Sequence, residues 1–210
     1  MTRKELLEKA KPILFNVKMV KTILEGRKTV TRRAAFPADD FREFHTSLYP
    51  DGWWFRGRVY WDRPSADRYL LHTEKMCKYA RGDILYVRET WWRDMNGKYR
   101  YLADYDNPDM VKKQLAFGHK AKPSIHMPKE ATRILLRVTG IRVDRLRNMV
   151  LGDILLEGLH EADIYEETWN RWHQTWNSTI KPADLALYGW EANPWVWVIG
   201  FERVCSDERA

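Results

Sequence analysis

Hydrophobic and polar residues alternate along much of the chain with the period of β-strands. Apolar, β-branched and aromatic residues are concentrated at residues 13–17, 53–60, 68–72, 84–91, 98–103, 131–146 and 195–201. Such runs are typical of strands. The last run is apolar at nearly every position, as expected for a strand covered on both faces. Gly140 interrupts the longest run and predicts a bulge or a bend there.

Helical periodicity occurs in fewer places. It is found at residues 3–10, 151–159 and 164–177, and at Val20, Ile23 and Leu24. Gly26 follows the helix that contains Val20, Ile23 and Leu24, and it favours the end of that helix. Trp169, Trp172 and Trp176 share one face of the last helix, which favours core positions for most of the eleven tryptophans. Strands separated by short helices predict an α+β, mainly β fold: a small mixed β-barrel with peripheral helices.

Composition places the chain among single-domain, cytoplasmic proteins. Its 210 residues fit one domain over residues 1–210, interrupted by polar insertions at about 34–80 and 92–125. No run approaches the roughly 20 apolar residues of a membrane span, and the N-terminus lacks the apolar core of a secretory signal. Cys77 and Cys205 form no CxxC pair, so we expect no disulfide framework and no metal. The oligomeric state stays open.

The net charge of +7 is unevenly distributed. Residues 1–33 contain ten Lys or Arg and three Asp or Glu, which accounts for the whole excess. Residues 151–210 are acidic, with four Lys or Arg against eleven Asp or Glu. Basic patches commonly bind phosphate groups. If the acidic region pairs with the basic one, however, the basic patch is partly neutralised and its binding to a nucleic acid is weakened.

The most informative stretch, at residues 26–33, reads GRKTVTRR and lies in the basic segment. Its Gly26, Lys28, Thr31 and Arg33 match the G-x-K-x-x-T-x-R signature and resemble the ASCH family. Further segments resemble the long, phage-type ASCH proteins, at residues 82–91 (GDILYVRETW), 124–128, 132–139, 157–158 and 193–198. The resemblance implies a PUA-like fold and a partner that is RNA or a modified nucleoside.

The resemblance also implies catalytic residues. In this family, an amidohydrolase acting on N(4)-acetylcytidine uses a lysine, a threonine and a glutamate. Lys28 and Thr31 match the first two, and Glu157, in a Glu-Gly pair expected to open a helix, is the third candidate. A lysine of depressed pKa can activate a threonine hydroxyl, and a carboxylate can carry a proton to the leaving amine. No cofactor is implied.

Other residues are candidates for binding the substrate or a nucleic acid. They are Arg27, Arg32, Arg33, Glu89, Trp53, Trp54 and Trp92. The arginines supply a cationic neighbourhood, and a tryptophan ring can stack on a base. Glu89 lies in an apolar strand, where a carboxylate needs a partner, and an arginine of the 27–33 segment is the expected one.

Two alternatives to hydrolysis remain. The basic motif also suits a non-catalytic module for RNA or single-stranded nucleic acid, in which Lys28 and Arg33 contact phosphates. A ribonuclease is the other alternative. Hydrolysis adds a geometric condition, since residues three apart in a regular strand point to opposite faces. Lys28 and Thr31 therefore require a bend between them.

Overall fold

A computed structural model describes residues 2–37, 41–44, 52–55, 58–60, 77–106, 120–159 and 165–204; of the strands between 41 and 60 it describes the backbone. The chain divides into two compact units. The first unit comprises Met1–Thr29, Arg81–Thr139 and Phe201–Ala210, and the second comprises Val30–Ala80 and Gly140–Gly200. The expectation of a single domain stays a prediction.

The described strands are, in chain order, β1 (Lys11–Leu14), β2 (Val30–Phe36), β3 (Phe41–Phe44), β4 (Gly52–Phe55), β5 (Arg58–Tyr60), β6 (Ile84–Arg88), β7 (Trp91–Arg93), β8 (Tyr99–Tyr101), β9 (Leu135–Arg145) and β10 (Trp195–Arg203). The described α-helices are α1 (Arg3–Lys9), α2 (Val17–Leu24), α3 (Leu151–Leu156), α4 (Tyr165–Ser178) and α5 (Leu185–Tyr188). Single 3-10 turns connect several of them.

The described strands form open sheets. The five-stranded sheet has the order β1-β6-β9-β10-β2, and the smaller sheets are β3-β4-β5 and β7-β8. The expectation of an α+β, mainly β fold is therefore confirmed, whereas the described sheets are not closed into the expected barrel. β1 pairs in parallel with β6, and the other pairings with a described register are antiparallel.

In the first unit, α1 packs its apolar side on the sheet. Leu6 and Ala10 form a buried cluster with Ile84 of β6 and Leu135 of β9. Thr2 begins the helix with a capping box, because its hydroxyl accepts the backbone N–H of Glu5 and the Glu5 carboxylate accepts the backbone N–H of Thr2. A second cluster lies at the β7–β8 hairpin and consists of Trp91, Met127 and Ala131.

In the second unit, the tryptophans form much of the core, as the sequence pattern predicts. Trp172 and Trp176 of α4 are buried with Trp190 and with Val196 and Val198 of β10. Trp169 is partly buried against the same cluster. The helical face predicted from the spacing of these tryptophans is confirmed, and it anchors α4 to the strand that pairs with β2.

Some element boundaries differ from the predictions. The run at 84–91 is two strands, because the chain leaves β6 at Arg88 and resumes pairing at Trp91 with β8. The run at 131–146 forms a strand only from Leu135, since residues Lys129–Ala131 make a 3-10 turn after a proline. The predicted strand at 68–72 lies outside the described residues. None of the described helices combines the length and the apolar character needed to cross a membrane.

Candidate functional site

The polar residues that the structure buries are largely those that the sequence pattern singles out. The described part of the chain buries seven polar or charged residues: Lys28, Thr31, Arg32, Glu89, Thr132, Glu157 and Thr168. Five of these belong to the predicted site, the exceptions being Thr132 and Thr168. Burying a polar group is costly unless it is hydrogen-bonded or paired, so each requires a structural or chemical reason.

Within the second unit, Arg32 is the centre of an ion-pair network. Its Nη1 lies 3.3 Å from Oε1 of Glu157, and its Nη2 lies 3.2 Å from Oδ1 of Asp153. The side chains of Arg32 and Glu157 are each 1% exposed. Thr31 precedes Arg32 in β2 and is also buried. Because consecutive residues of a strand point to opposite faces, β2 buries the Thr31 hydroxyl on one face and the Arg32 guanidinium on the other.

Glu157 lies at the end of a helix rather than at its start. α3 ends at Leu156, and the backbone N–H of Glu157 donates to the carbonyl of Asp153 at 3.0 Å. Gly158 follows with a φ of 93°, a left-handed conformation that glycine adopts without strain and that stops the helix. The expectation that the Glu-Gly pair opens a helix is therefore wrong, because the pair forms its C-terminal cap.

Asp153 and Arg142 belong to this network and were not predicted. Asp153 accepts the backbone N–H of Val150 at 3.0 Å, at the beginning of α3. Its Oδ1 also lies 3.8 Å from Nη2 of Arg142 in β9. The sequence contains one signal for Asp153: it precedes Glu157 by four residues, so the two carboxylates share a helical face.

Arg33 and Tyr79 interact electrostatically in this unit. Burial lowers the pKa of the Arg33 guanidinium, and the charges of Tyr79 and Glu157 oppose that shift. Burial likewise raises the pKa of the Tyr79 hydroxyl, with Arg33 acting against it. Tyr79 lies near the end of the first insertion and was not predicted as a site residue. The electrostatic interaction between the two groups places Tyr79 near Arg33 of β2.

Lys28 belongs to the first unit and is 2% exposed. Its Nζ lies 5.8 Å from the centroid of the Phe15 ring. Lys28 lies beyond the end of α2, and its backbone N–H donates to the carbonyl of Thr22 within that helix. β2 begins only at Val30, so Lys28 and Thr31 are not parts of one regular strand. The bend that catalysis requires between them stays a prediction.

Gly26 and Arg27 connect α2 to Lys28. Gly26 has a φ of 77°, and it ends the helix as predicted. The Arg27 guanidinium pairs with the Glu25 carboxylate, with its Nε 2.8 Å from Oε2. This pairing partly neutralises the basic motif from within its own turn. Arg27 as a substrate ligand stays a prediction.

Glu89 has the partner that its burial requires, but not the expected one. Arg133 in the same unit donates from Nε to Oε1 and from Nη2 to Oε2, both at 2.9 Å, instead of an arginine of the 27–33 segment. Arg133 also pairs with Asp104 at 2.5 Å and lies over the Tyr101 ring. Burial raises the pKa of Glu89 in spite of Arg133.

Of the three tryptophans predicted to stack on a base, the structure describes the side chain of one, Trp92. Trp92 is 1% exposed, and its ring centroid lies 5.5 Å from that of Tyr105. In this conformation it offers no open face to a base. The side chains of Trp53 and Trp54, in β4, lie outside the described part of the chain. Base stacking on these residues stays a prediction.

No group of three or more His, Cys, Asp or Glu among the described residues is arranged to hold a metal ion. No family model, curated protein or solved structure matches the chain. The ASCH resemblance thus rests on the motifs in the sequence. The geometry of the second unit unites Arg32, Asp153 and Glu157, and Thr31 precedes Arg32 in the same strand.

Proposed function

We propose that the chain is an ASCH-type protein of PUA-like fold that binds RNA or a modified nucleoside. In this proposal it hydrolyses the exocyclic amide of an N(4)-acylated cytidine. The burial of Lys28, Thr31 and Glu157, each 2–3% exposed, carries the proposal. These are the three groups that the resemblance assigns to catalysis, and burying such polar groups is costly unless the structure or the chemistry requires them.

The proposed reaction uses the three side chains in sequence. Thr31 Oγ1 attacks the amide carbonyl carbon while the neutral amine of Lys28 takes the hydroxyl proton. The bond from that carbon to the exocyclic nitrogen then breaks, and the nitrogen leaves as an amine with the proton that Lys28 took, which the Glu157 carboxylate carries to it. Water hydrolyses the resulting ester of Thr31, which yields the carboxylic acid and restores the hydroxyl.

Arg32 has a positioning role in this proposal. Its guanidinium contacts Glu157 at 3.3 Å and Asp153 at 3.2 Å, and it lies on the strand that carries Thr31. A carboxylate fixed by a buried guanidinium loses rotamer freedom before the substrate binds, which reduces the entropy cost of the reaction. Arg32→Lys keeps a positive charge but loses the planar fork that holds two carboxylates.

The test is deacylation of N(4)-acetylcytidine, followed by chromatography of the cytidine product. We expect turnover by the wild-type chain and a loss of at least about 100-fold in Lys28→Met and Thr31→Val. Thr31→Ser should retain a measurable rate, because it keeps a hydroxyl. Thr168→Val is the matched control, since Thr168 is a buried threonine of the same unit outside the predicted set.

Two results would overturn the hydrolase. One is no turnover by a folded wild-type chain, which would favour the non-catalytic module. The other is equal loss in Thr31→Val and Thr168→Val, which would reduce the role of Thr31 to packing. Circular dichroism of each variant separates lost chemistry from lost fold.

A further inference from the structure

Besides Lys28 over Phe15, four cationic side chains of the described part of the first unit lie over aromatic rings. The distances from Cζ or Nζ to the ring centroid are 4.7 Å for Arg93 over Tyr99, 5.1 Å for Lys122 over Trp91, 5.5 Å for Lys129 over Tyr86 and 4.1 Å for Arg133 over Tyr101. A ring attracts a cation through its quadrupole and limits its motion. It does not cancel the charge.

The pairing of the strands places two of these cations on one face. Trp91 is opposite Tyr101 and Arg93 is opposite Tyr99 in the β7–β8 hairpin. Lys122 forms an antiparallel bridge with Trp91 on the edge of β7 that does not pair with β8. Each of the two residues donates its backbone N–H to the carbonyl of the other. Opposed residues share a face, as do residues two apart. Arg93 and Lys122 therefore flank Trp91 on a common side.

The cations at this edge have no acidic partner among the described residues. Arg93, Lys98, Lys120 and Lys122 are exposed and form no ion pair with a described carboxylate. In contrast, Arg100 of the same hairpin pairs with Asp94 at 2.8 Å. These four exposed cations are here called the hairpin edge.

The basic N-terminal segment differs in this respect. Lys11 pairs with Asp83, Lys21 with Asp106, Arg27 with Glu25, and Arg32 with Asp153 and Glu157. Four of the ten cations of residues 1–33 are thus paired with carboxylates, whereas Lys4, Lys9 and Lys18 are exposed and form no ion pair with the described residues. The hairpin edge differs from those three lysines because two of its cations, Arg93 and Lys122, lie over aromatic rings that hold them in place.

We propose that the hairpin edge binds the sugar–phosphate backbone of single-stranded RNA. Exposed apolar side chains occur beside it in the chain, Met95 at 79% and Ile125 at 57% exposure. Uncompensated cations combined with apolar surface suit a strand whose phosphates and unstacked bases are both exposed. This inference rests on the proposed function and deepens it: the modified base is presented within an RNA strand.

The test is fluorescence anisotropy with a labelled, unstructured RNA 12-mer across a series of KCl concentrations. We expect the triple variant Arg93→Gln/Lys98→Gln/Lys122→Gln to weaken binding at least about tenfold. It should also reduce the slope of log K against log[salt] by about 2, since each phosphate contact contributes roughly 0.7 on a single strand. Lys122→Gln alone should give a smaller change in the same direction.

The matched control is Lys4→Gln/Lys9→Gln/Lys18→Gln. These lysines are exposed cations of the same unit that have no ion pair and no ring contact with the described residues. The control removes the same charge, and we expect its affinity to stay within about threefold of wild type. Equal weakening by both triple variants would overturn the proposal, as would equal or tighter binding of DNA of the same sequence.

Failure of this inference is distinguishable from failure of the hydrolase, because binding is measured without turnover. A chain that binds RNA through the hairpin edge but never deacylates cytidine would refute only the hydrolase. A chain that deacylates the free nucleoside but whose RNA affinity is indifferent to the hairpin-edge variant would refute only the RNA surface.

Discussion

The Arg133 guanidinium holds the Glu89 carboxylate through two parallel hydrogen bonds, from Nε to Oε1 and from Nη2 to Oε2, both 2.9 Å long. The glutamate side chain is 1% exposed and the arginine side chain 25% exposed. This bidentate arrangement satisfies both oxygens of a carboxylate that lies where the chain passes from β6 to β7. It also fixes Arg133 over the Tyr101 ring.

We expect Arg133→Met to destabilise the chain by about 3 kcal/mol, because it leaves a buried carboxylate without its partner. Glu89→Gln/Arg133→Met should recover part of that loss, since the uncompensated charge is gone. Urea unfolding followed by tryptophan fluorescence measures both values. If the single and double variants are equally stable, the ion pair is not what makes the arginine important.

The pH dependence of stability provides a separate test of Glu89. Burial raises its pKa in the folded state above the ordinary value of 4.5. Between the two values the folded state binds more protons than the unfolded state, so the free energy of unfolding falls as pH rises. This contribution is complete below pH 4.5 and is lost as pH rises through the folded-state value.

Glu89→Gln removes the titrating group, so its free energy of unfolding should decline less than that of wild type as pH rises through this interval. Urea midpoints from pH 4 to 7 measure the difference. Asp184→Asn serves as the control, because Asp184 is a half-buried carboxylate. Parallel curves for wild type and Glu89→Gln would contradict the raised pKa.

Glycine conformation yields a matched pair of substitutions. Gly26 has a φ of 77°, whereas Gly152 is in α3, and an added Cβ would meet nothing within 4 Å at either position. Gly26→Ala should therefore cost about 1–2 kcal/mol through backbone strain alone. Gly152→Ala should stabilise by about 0.5–1 kcal/mol, because alanine favours helices and restricts the unfolded chain.

Thermal unfolding of both glycine variants measures these opposite signs. Destabilisation by Gly152→Ala of the same size as by Gly26→Ala would show that steric crowding, rather than the positive φ, determines the cost. Because Gly26 directly precedes the segment with Lys28, its variant also shows whether the geometry of that turn affects deacylation.

Local features of the molecule were predictable from the sequence, and contacts between distant segments were not. The positive φ of Gly26 and the buried face of Trp172 and Trp176 follow from spacing within one helix. Glu89 clearly needed a cation, but its partner is 44 residues away in the chain. A hydrophobicity pattern identifies which groups are buried; it does not identify which of many arginines meets a given carboxylate.

In the candidate site, too, some features were predictable from the sequence and others were not. Burial of Lys28, Thr31 and Glu157 agrees with their place in the motifs. The role of Glu157 at the end of α3 was missed, because a Glu-Gly pair fits either helix end and the decisive signal is the φ of 93° at Gly158. Asp153 was missed because an acidic residue in a first helical turn is common for purely local reasons.

Asp153 combines two roles that substitution can separate. Its Oδ2 accepts the Val150 N–H at 3.0 Å, and its Oδ1 contacts Arg32 at 3.2 Å. Asp153→Asn keeps an acceptor for the helix terminus and removes the charge that faces Arg32, whereas Asp153→Ala removes both. We expect Asp153→Ala to cost about 1 kcal/mol more than Asp153→Asn, the usual worth of such a cap. Urea unfolding checks this difference, and equal stability of the two variants would show that the charge on Asp153, rather than its cap, dominates its contribution.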